Sequence, residues 1–206
     1  MVNLISFLAL ILTITLHEFS HALIADKLGD PTPRSFGRLT LNPLAHADIF
    51  GTILLPLISA FTGIPTIGWA KPVPIDPFNF RHPKRDEILV SLAGPGSNLL
   101  LAIILAVIAN STGVQSIFIY ILVLINISLA IFNLIPIPPL DGSKILLNIL
   151  SPESSAKWEE AFNRYGFVLI IIFVFLPING HPLISTIMSP IVSFLFNLLL
   201  PGVSGL

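Results

Sequence analysis

This chain of 206 residues is 54% hydrophobic and only 10% charged, with a mean hydropathy of +0.92, whereas soluble domains carry about 25% charged residues. A net charge of −1 argues against a nucleic-acid partner, and the absence of cysteine leaves His, Asp and Glu as metal ligands. No Asp, Glu, Lys or Arg occurs from Ile88 to Leu140, nor from Tyr165 to the end, and such runs far exceed the ~20 apolar residues that cross a bilayer. The composition predicts an all-α polytopic membrane protein.

In chain order, the first spanning helix is expected over 4–25. It lacks the basic start and small-residue cleavage site of a secretory leader and contains His and Glu, so it reads as mature structure. The stretches "FGRLTLNP", 36–43, and "IGWAKPVPID", 67–76, read as short extended pieces whose prolines place them at edges or ends. An edge strand there could pair with an extended substrate segment. The uncharged run 49–70 is long enough to span but holds Gly51, Pro56, Gly63, Pro65 and Gly68. Positive charges decide its reading. Lys27, Arg34 and Arg38 lie in 26–48, Lys71, Arg81, Lys84 and Arg85 in 71–87, and Lys144, Lys157 and Arg164 in 136–164; the turns 110–116 and 179–182 have none. The positive-inside rule puts all three basic segments on the cytoplasmic side. That requires 49–70 to enter and leave by one face, as a re-entrant helix-plus-strand element tolerated only against protein or water. Further spans are expected at 88–109, 115–135, 160–178 and 183–200, making five, or six if 49–70 crosses. Trp69 and Trp158 fit membrane interfaces, and Lys84-Arg85-Asp86-Glu87 reads as a solvated collar.

Within the first span, His17-Glu18-Phe19-Ser20-His21 is an H-E-x-x-H. Positions i and i+4 share a helix face, so both imidazoles can meet one metal ion, with Glu18 beside them as general base. The bland reading is a hydrogen-bonded cluster between helices; ionisable residues within spans default to function. A catalytic zinc needs a third protein ligand and an open position. Candidates are His46, Asp48, Asp76, His82, Asp141 and His181. Asp141 follows "FNLIPIPPL", where Pro136, Pro138 and Pro139 end a helix near the basic face, and Gly142 lets the chain turn. Its alternative is a turn residue or the cap of a helix over 142–150. His46 and Asp48 read as second contacts to a ligand imidazole or as plain interfacial residues. Asn98, at mid-span, must find a hydrogen bond, with helix–helix contact as its bland role. Gly94 and Gly96 read as close-packing positions.

His17-Glu18-x-x-His21 together with Asn133-x-x-Pro136-x-Pro138-x-Leu140-Asp141-Gly142 resembles the site-2 protease family of intramembrane zinc metalloproteases. Gly94-Pro95-Gly96-Ser97-Asn98 is similar to the family's G-x-x-x-N type motif, and "LTLNPLAHADIFGT" and "GWAKPVPID" look like stretches of its small bacterial and archaeal members. The resemblance covers roughly 5–150. It implies a catalytic membrane core over 1–150 built on three helices, with C-terminal transmembrane helices over 151–206. By position it implies one Zn2+ held by His17, His21 and Asp141, Glu18 as base, and Asn133 as a donor to substrate or oxyanion. It also implies cleavage of single-span membrane protein substrates in the lipid bilayer near the cytoplasmic face of a bacterial or archaeal plasma membrane. No PDZ insertion or CBS tail is recognisable, which leaves substrate selection open. A metal transporter or channel would place several ligand sites along a pore, whereas this sequence offers one tight cluster. A non-catalytic, substrate-binding relative would be free to lose Glu18, which is present.

Overall fold

The computed structural model describes residues 2–54, 70–114, 116–178 and 180–203. Helix α1, Val2–Leu28, ends where its sequence says it must. Gly29 takes φ +108°, a conformation that favours glycine. The Asp30 N–H returns to the Ala25 carbonyl at 3.0 Å and the Gly29 N–H to that of Asp26 at 3.2 Å. This paired closure satisfies carbonyls that the helix end would otherwise orphan. Helix α2, Pro83–Thr112, opens on a proline, whose missing N–H costs nothing there, and closes on Gly113 at φ +67°. Pro95 lies inside it and cannot donate to the Ser91 carbonyl, so the helix is locally weakened beside Gly94.

Helix α3, Ile117–Asn133, returns alongside α2. An irregular stretch follows, and α4, Asp141–Ile149, starts one residue after Leu140. Helices α5, Pro152–Phe175, and α6, Leu183–Leu199, are joined by a short hairpin in which Pro177–Ile178 pairs with His181–Pro182.

Helices α1, α2 and α3 pack on one another. Their contact faces are small: Ala9, Ala22, Ala25, Ala102, Ala106 and Ala130 are almost wholly buried. Small side chains let backbones approach closely, which drives helix association where lipid offers no hydrophobic contrast. Asn126 reinforces the contact by donating to Thr13 Oγ1 at 2.9 Å. Helix α6 closes over α2 and α3 through Val192 and Phe196, with Leu200 just past its end.

Among the described residues, Ser6–Leu28 and Pro83–Thr112 are long and apolar enough to cross a membrane, while Ile117–Asn133 and Leu183–Leu199 are shorter apolar helices. At 1.5 Å per residue, 17 residues reach about 25 Å, short of a hydrocarbon core of ~30 Å. The helix expected as the fourth span, 160–178, starts earlier than hydropathy suggests, at Pro152, because Ser151 caps it by accepting the Ser154 N–H. Its first turns are polar.

The β part of the expected re-entrant element is corrected. Residues 36–54 and 70–76 form no strand; single helical turns lie at Thr32–Ser35 and Pro43–His46, and a wide turn at Ile49–Leu54. Prolines 33 and 43 remove ladder donors and favour helix starts instead. The remainder of the re-entrant reading, 55–69, and Trp69 lie outside the described residues. The solvated collar also fails in part. Asp86 is 3% exposed and accepts the His82 N–H at 3.0 Å, and Glu87 accepts from Asn148 Nδ2 at 2.8 Å, so this run ties helix ends together. Trp158 is half-exposed and packs against Phe162.

Candidate metal centre

His17 and His21 lie one turn apart on the face of α1 that meets α2. Their Nε2 atoms are 3.0 Å apart. Asp141, the first residue of α4, brings Oδ2 to 3.2 Å from His17 Nε2 and 3.3 Å from His21 Nε2. Among the described residues these three are the group whose ligand atoms converge closely enough to hold a metal ion.

Three features fit a cation. Two imidazole nitrogens and a carboxylate oxygen turn their lone pairs toward one point. Asp141 Oδ2 is buried and accepts no hydrogen bond, although both imidazoles are near. The separations of 3.0 to 3.3 Å approach the edge of a tetrahedron whose metal–ligand bonds are ~2.0–2.1 Å, the bond length of zinc to nitrogen or oxygen. Room is secured by Gly94, where a Cβ would run into His21 Nε2 and the His17 ring. Gly96, by contrast, faces open space and packs on nothing.

Each imidazole is also held from behind. The Val90 carbonyl lies 2.7 Å from His21 Nδ1, which sets the proton there and turns Nε2 to the metal point. The Asn98 amide lies 3.0 Å from His17 Nδ1. A neutral imidazole that ligates through Nε2 carries its proton on Nδ1, so the amide oxygen is the proper acceptor for it. That orientation also satisfies Asn98 Oδ1, which is buried and unpartnered when the amide nitrogen faces the ring. Asn98 is thus more than helix contact: it is aimed at a ligand.

The carboxylate arrives by a different route. Pro136, Pro138 and Pro139 prevent helix from Leu134 to Leu140, and the chain doubles back so tightly that a Cβ on Gly142 would collide with the carbonyls of Leu134 and Ile135. This turn delivers Asp141 to the histidines.

A cavity of about 100 Å³ adjoins the three residues and is lined in addition by Glu18, Val73 and Asn133. Glu18 Oε2 accepts the Val73 N–H at 3.2 Å. Asn133 donates one amide N–H to Leu129 at 3.0 Å, which leaves its second N–H for the cavity. A larger cavity, about 460 Å³, lies at the other end of α2 beside Asn110 and Tyr120, but its lining has no acid or imidazole.

The other ligand candidates are accounted for elsewhere. His46 is buried with Nε2 at 2.9 Å from the Thr40 carbonyl, and Asp48 caps the Ile49–Leu54 turn through Phe50 and Gly51. Asp76 caps the turn Pro77–Asn79, His82 precedes α2, and His181 is exposed in the hairpin. None of them joins the cluster. Sequence reasoning missed Val73 and the fully buried Asp30, which accepts from the Thr32 and Asp76 N–H groups and from Asn79 Nδ2 at 2.8–3.0 Å. The signal for Val73 was available: a lone donor between two prolines.

A metal cluster of this composition on apolar helices defines a membrane metalloenzyme. The sequence comparison agrees: residues 5–117 and 109–173 match the model of peptidase family M50, and the chain belongs to this site-2 protease family of zinc metalloproteases. It is 39% identical over 188 residues to YwhC of Bacillus subtilis, covering 85% of this chain and 82% of that one. It is 32% identical over 173 residues to Rip2 of Mycolicibacterium smegmatis, covering 81% of this chain and 65% of that one. To MJ0392 of Methanocaldococcus jannaschii it is 26% identical over 182 residues, covering 84% of this chain but 43% of the relative. All three carry "zinc metalloprotease" in their names. No solved structure matches the chain.

Proposed function

We propose that this enzyme hydrolyses peptide bonds within or beside the transmembrane segments of single-span membrane proteins. The observation that carries the reading is a carboxylate base and a three-residue metal cluster facing one cavity among apolar helices. His17, His21 and Asp141 would hold one zinc ion. When bound, zinc supplies Lewis acidity toward water and the scissile carbonyl.

The protein's own groups carry the proton and orient the substrate. Glu18 takes a proton from the attacking water as the new C–O bond forms, then gives it to the departing amine nitrogen as the C–N bond breaks. The free N–H of Asn133 meets the carbonyl oxygen where negative charge grows. The Val90 carbonyl and Asn98 keep both imidazoles in the ligating tautomer. Lys144 at the cavity rim, with the basic residues of 26–48 and 71–87, favours an active site on the cytoplasmic side of a bacterial or archaeal plasma membrane. An intact helix hides its carbonyls, so substrates with Gly or Pro in the span should be cut faster than uniform Leu/Ala spans.

The test is cleavage of a panel of single-span substrates by purified protein in detergent, beside Glu18→Gln, with metal content measured on both. The expected result is cleavage by the wild type, loss of at least ~10²-fold in the variant, and zinc retained in both. Zinc in both preparations with no substrate cut would favour a substrate-binding role. Absence of metal from both would remove the zinc site.

A further inference from the structure

We propose that the main-chain N–H of Val73 positions the base Glu18, and that the segment Lys71–Asp76 is a fixed strap built to present that one donor. The inference rests on the hydrolase reading of the site and adds to it a residue remote in sequence from the metal motif.

The argument begins with donors. In "KPVPID" the prolines at 72 and 74 have no N–H, so Val73 is the sole main-chain donor of three consecutive residues. A residue before proline is driven out of the helical region, which holds Lys71 and Val73 extended and denies this donor any local helical partner. Val73 is 8% exposed, and a buried N–H without an acceptor is costly. Its acceptor is Glu18 Oε2, at 3.2 Å.

The strap is anchored on both sides of that contact. The Lys71 N–H donates to the His46 carbonyl at 2.9 Å. The Asp76 N–H donates to Asp30 Oδ2 at 2.9 Å, and Asn79 donates to Asp30 Oδ1 at 2.8 Å. Asp30 is fully buried one residue beyond Gly29, at the end of the helix that carries Glu18. The far anchor of the positioning group therefore sits two residues beyond the helix that carries the base, tied back to it through the Ala25 carbonyl.

A glutamate has three side-chain torsions, and fixing them costs up to ~2 kcal/mol of rotamer freedom. One hydrogen bond that holds Oε2 before substrate arrives removes most of that search while leaving Oε1 to carry the proton. Val73 is thus a positioning residue, and its effect should fall on turnover rather than on metal or substrate binding.

The experiment uses the full chain in detergent with two readouts. The first needs no activity: amide hydrogen exchange at Val73 in wild type and Glu18→Ala. The expected result is exchange at least ~10-fold faster in the variant with the Lys71 and Asp76 amides unchanged; equal exchange would overturn the proposal. The second compares Val73→Pro, which deletes the donor from an already extended stretch, with Val73→Ala, which keeps it. Val73→Pro should lower kcat at least ~10-fold with zinc content and KM held, while Val73→Ala should cost less than ~3-fold. Equal losses in both variants, or a Val73→Pro loss confined to KM, would refute the positioning role. A wild type that cuts no substrate would instead count against the hydrolase reading, and the exchange result would still decide the contact.

Discussion

The two ends of the chain bury very different things. Helices α1 and α2 bury polar groups: Thr13, His17, His21, Asp86, Ser91 and Asn98 are all below one-tenth exposed. Helix α5 buries Phe162, Gly166 and Phe173 among 24 residues, while Phe167 is 77% exposed. Beyond its polar first turns α5 is as apolar as α1 and α2, so apolar composition by itself does not decide what is buried. What separates the two regions is whether the polar residues have partners. A buried polar group must be hydrogen-bonded or ligated, and in the first region the bonds of Thr13, His17, His21 and Asn98 fix one helix against another. The second region makes few demands of this kind and packs through Gly166 on Pro138 and through α6. Precision is concentrated where chemistry needs it, and the C-terminal pair frames it.

That contrast can be broken or sharpened experimentally. The largest effect is expected from Gly94→Ala. Its methyl would occupy the space of the ligating nitrogens, so zinc measured on the purified variant should fall from about one per chain toward none. Full zinc in Gly94→Ala would mean that α1 and α2 tolerate separation, and the contrast would collapse. Next, Asn98→Ala should weaken metal affinity ~10–100-fold, as loss of a group behind a ligand does, read as faster zinc release to a chelator. An unchanged release rate would return Asn98 to a plain helix contact.

A smaller effect concerns Asp30. Burial pushes its carboxyl up, but bonds from Thr32, Asp76 and Asn79 outweigh this and hold it below its ordinary value. A group depressed in the folded state contributes stability above its unfolded pKa, ~3.9 for Asp, and loses it as pH falls through the lower folded value. Thermal midpoints of the wild type should therefore show no change arising from this group between pH 7 and 5, and a loss only in stronger acid. Asp30→Asn should be less stable at pH 7 by roughly 1–3 kcal/mol, with the gap closing in acid. A constant gap would remove the carboxylate's charge from the account. Smallest of all, Phe167→Ala on the exposed face of α5 should shift stability by no more than ~0.5 kcal/mol and leave zinc unchanged. Zinc loss there would tie the C-terminal pair to the site.

Much of the site was legible in the sequence because its grammar is local. Periodicity alone puts His17 and His21 on one face. Prolines 136, 138 and 139 mark the unwound stretch before Asp141, and uncharged runs mark the membrane class. The ends of α1 and α2 follow from Gly29, Pro83 and Gly113. The extended pieces expected at 36–43 and 67–76 form no strand over their described residues, 36–43 and 70–76, because proline-rich stretches without ladder donors read alike as edge strands, helical turns or straps; only the available acceptors distinguish them.

What the tertiary structure decided are contacts between residues far apart in the chain. His21 meets Val90 across 69 positions, His17 meets Asn98 across 81, and Glu18 meets Val73 across 55. No local rule reaches that far. The register of α1 on α2 is set by which small residues interlock, with Gly94 opposite the imidazoles, and that register chooses the group behind each ligand. The sequence determined by itself which side chains could hold a metal and where the chain must turn. Packing of those helices decided which backbone carbonyl and amide stand behind the ligands, and packing of the strap 71–76 on α1 decided which N–H meets the base.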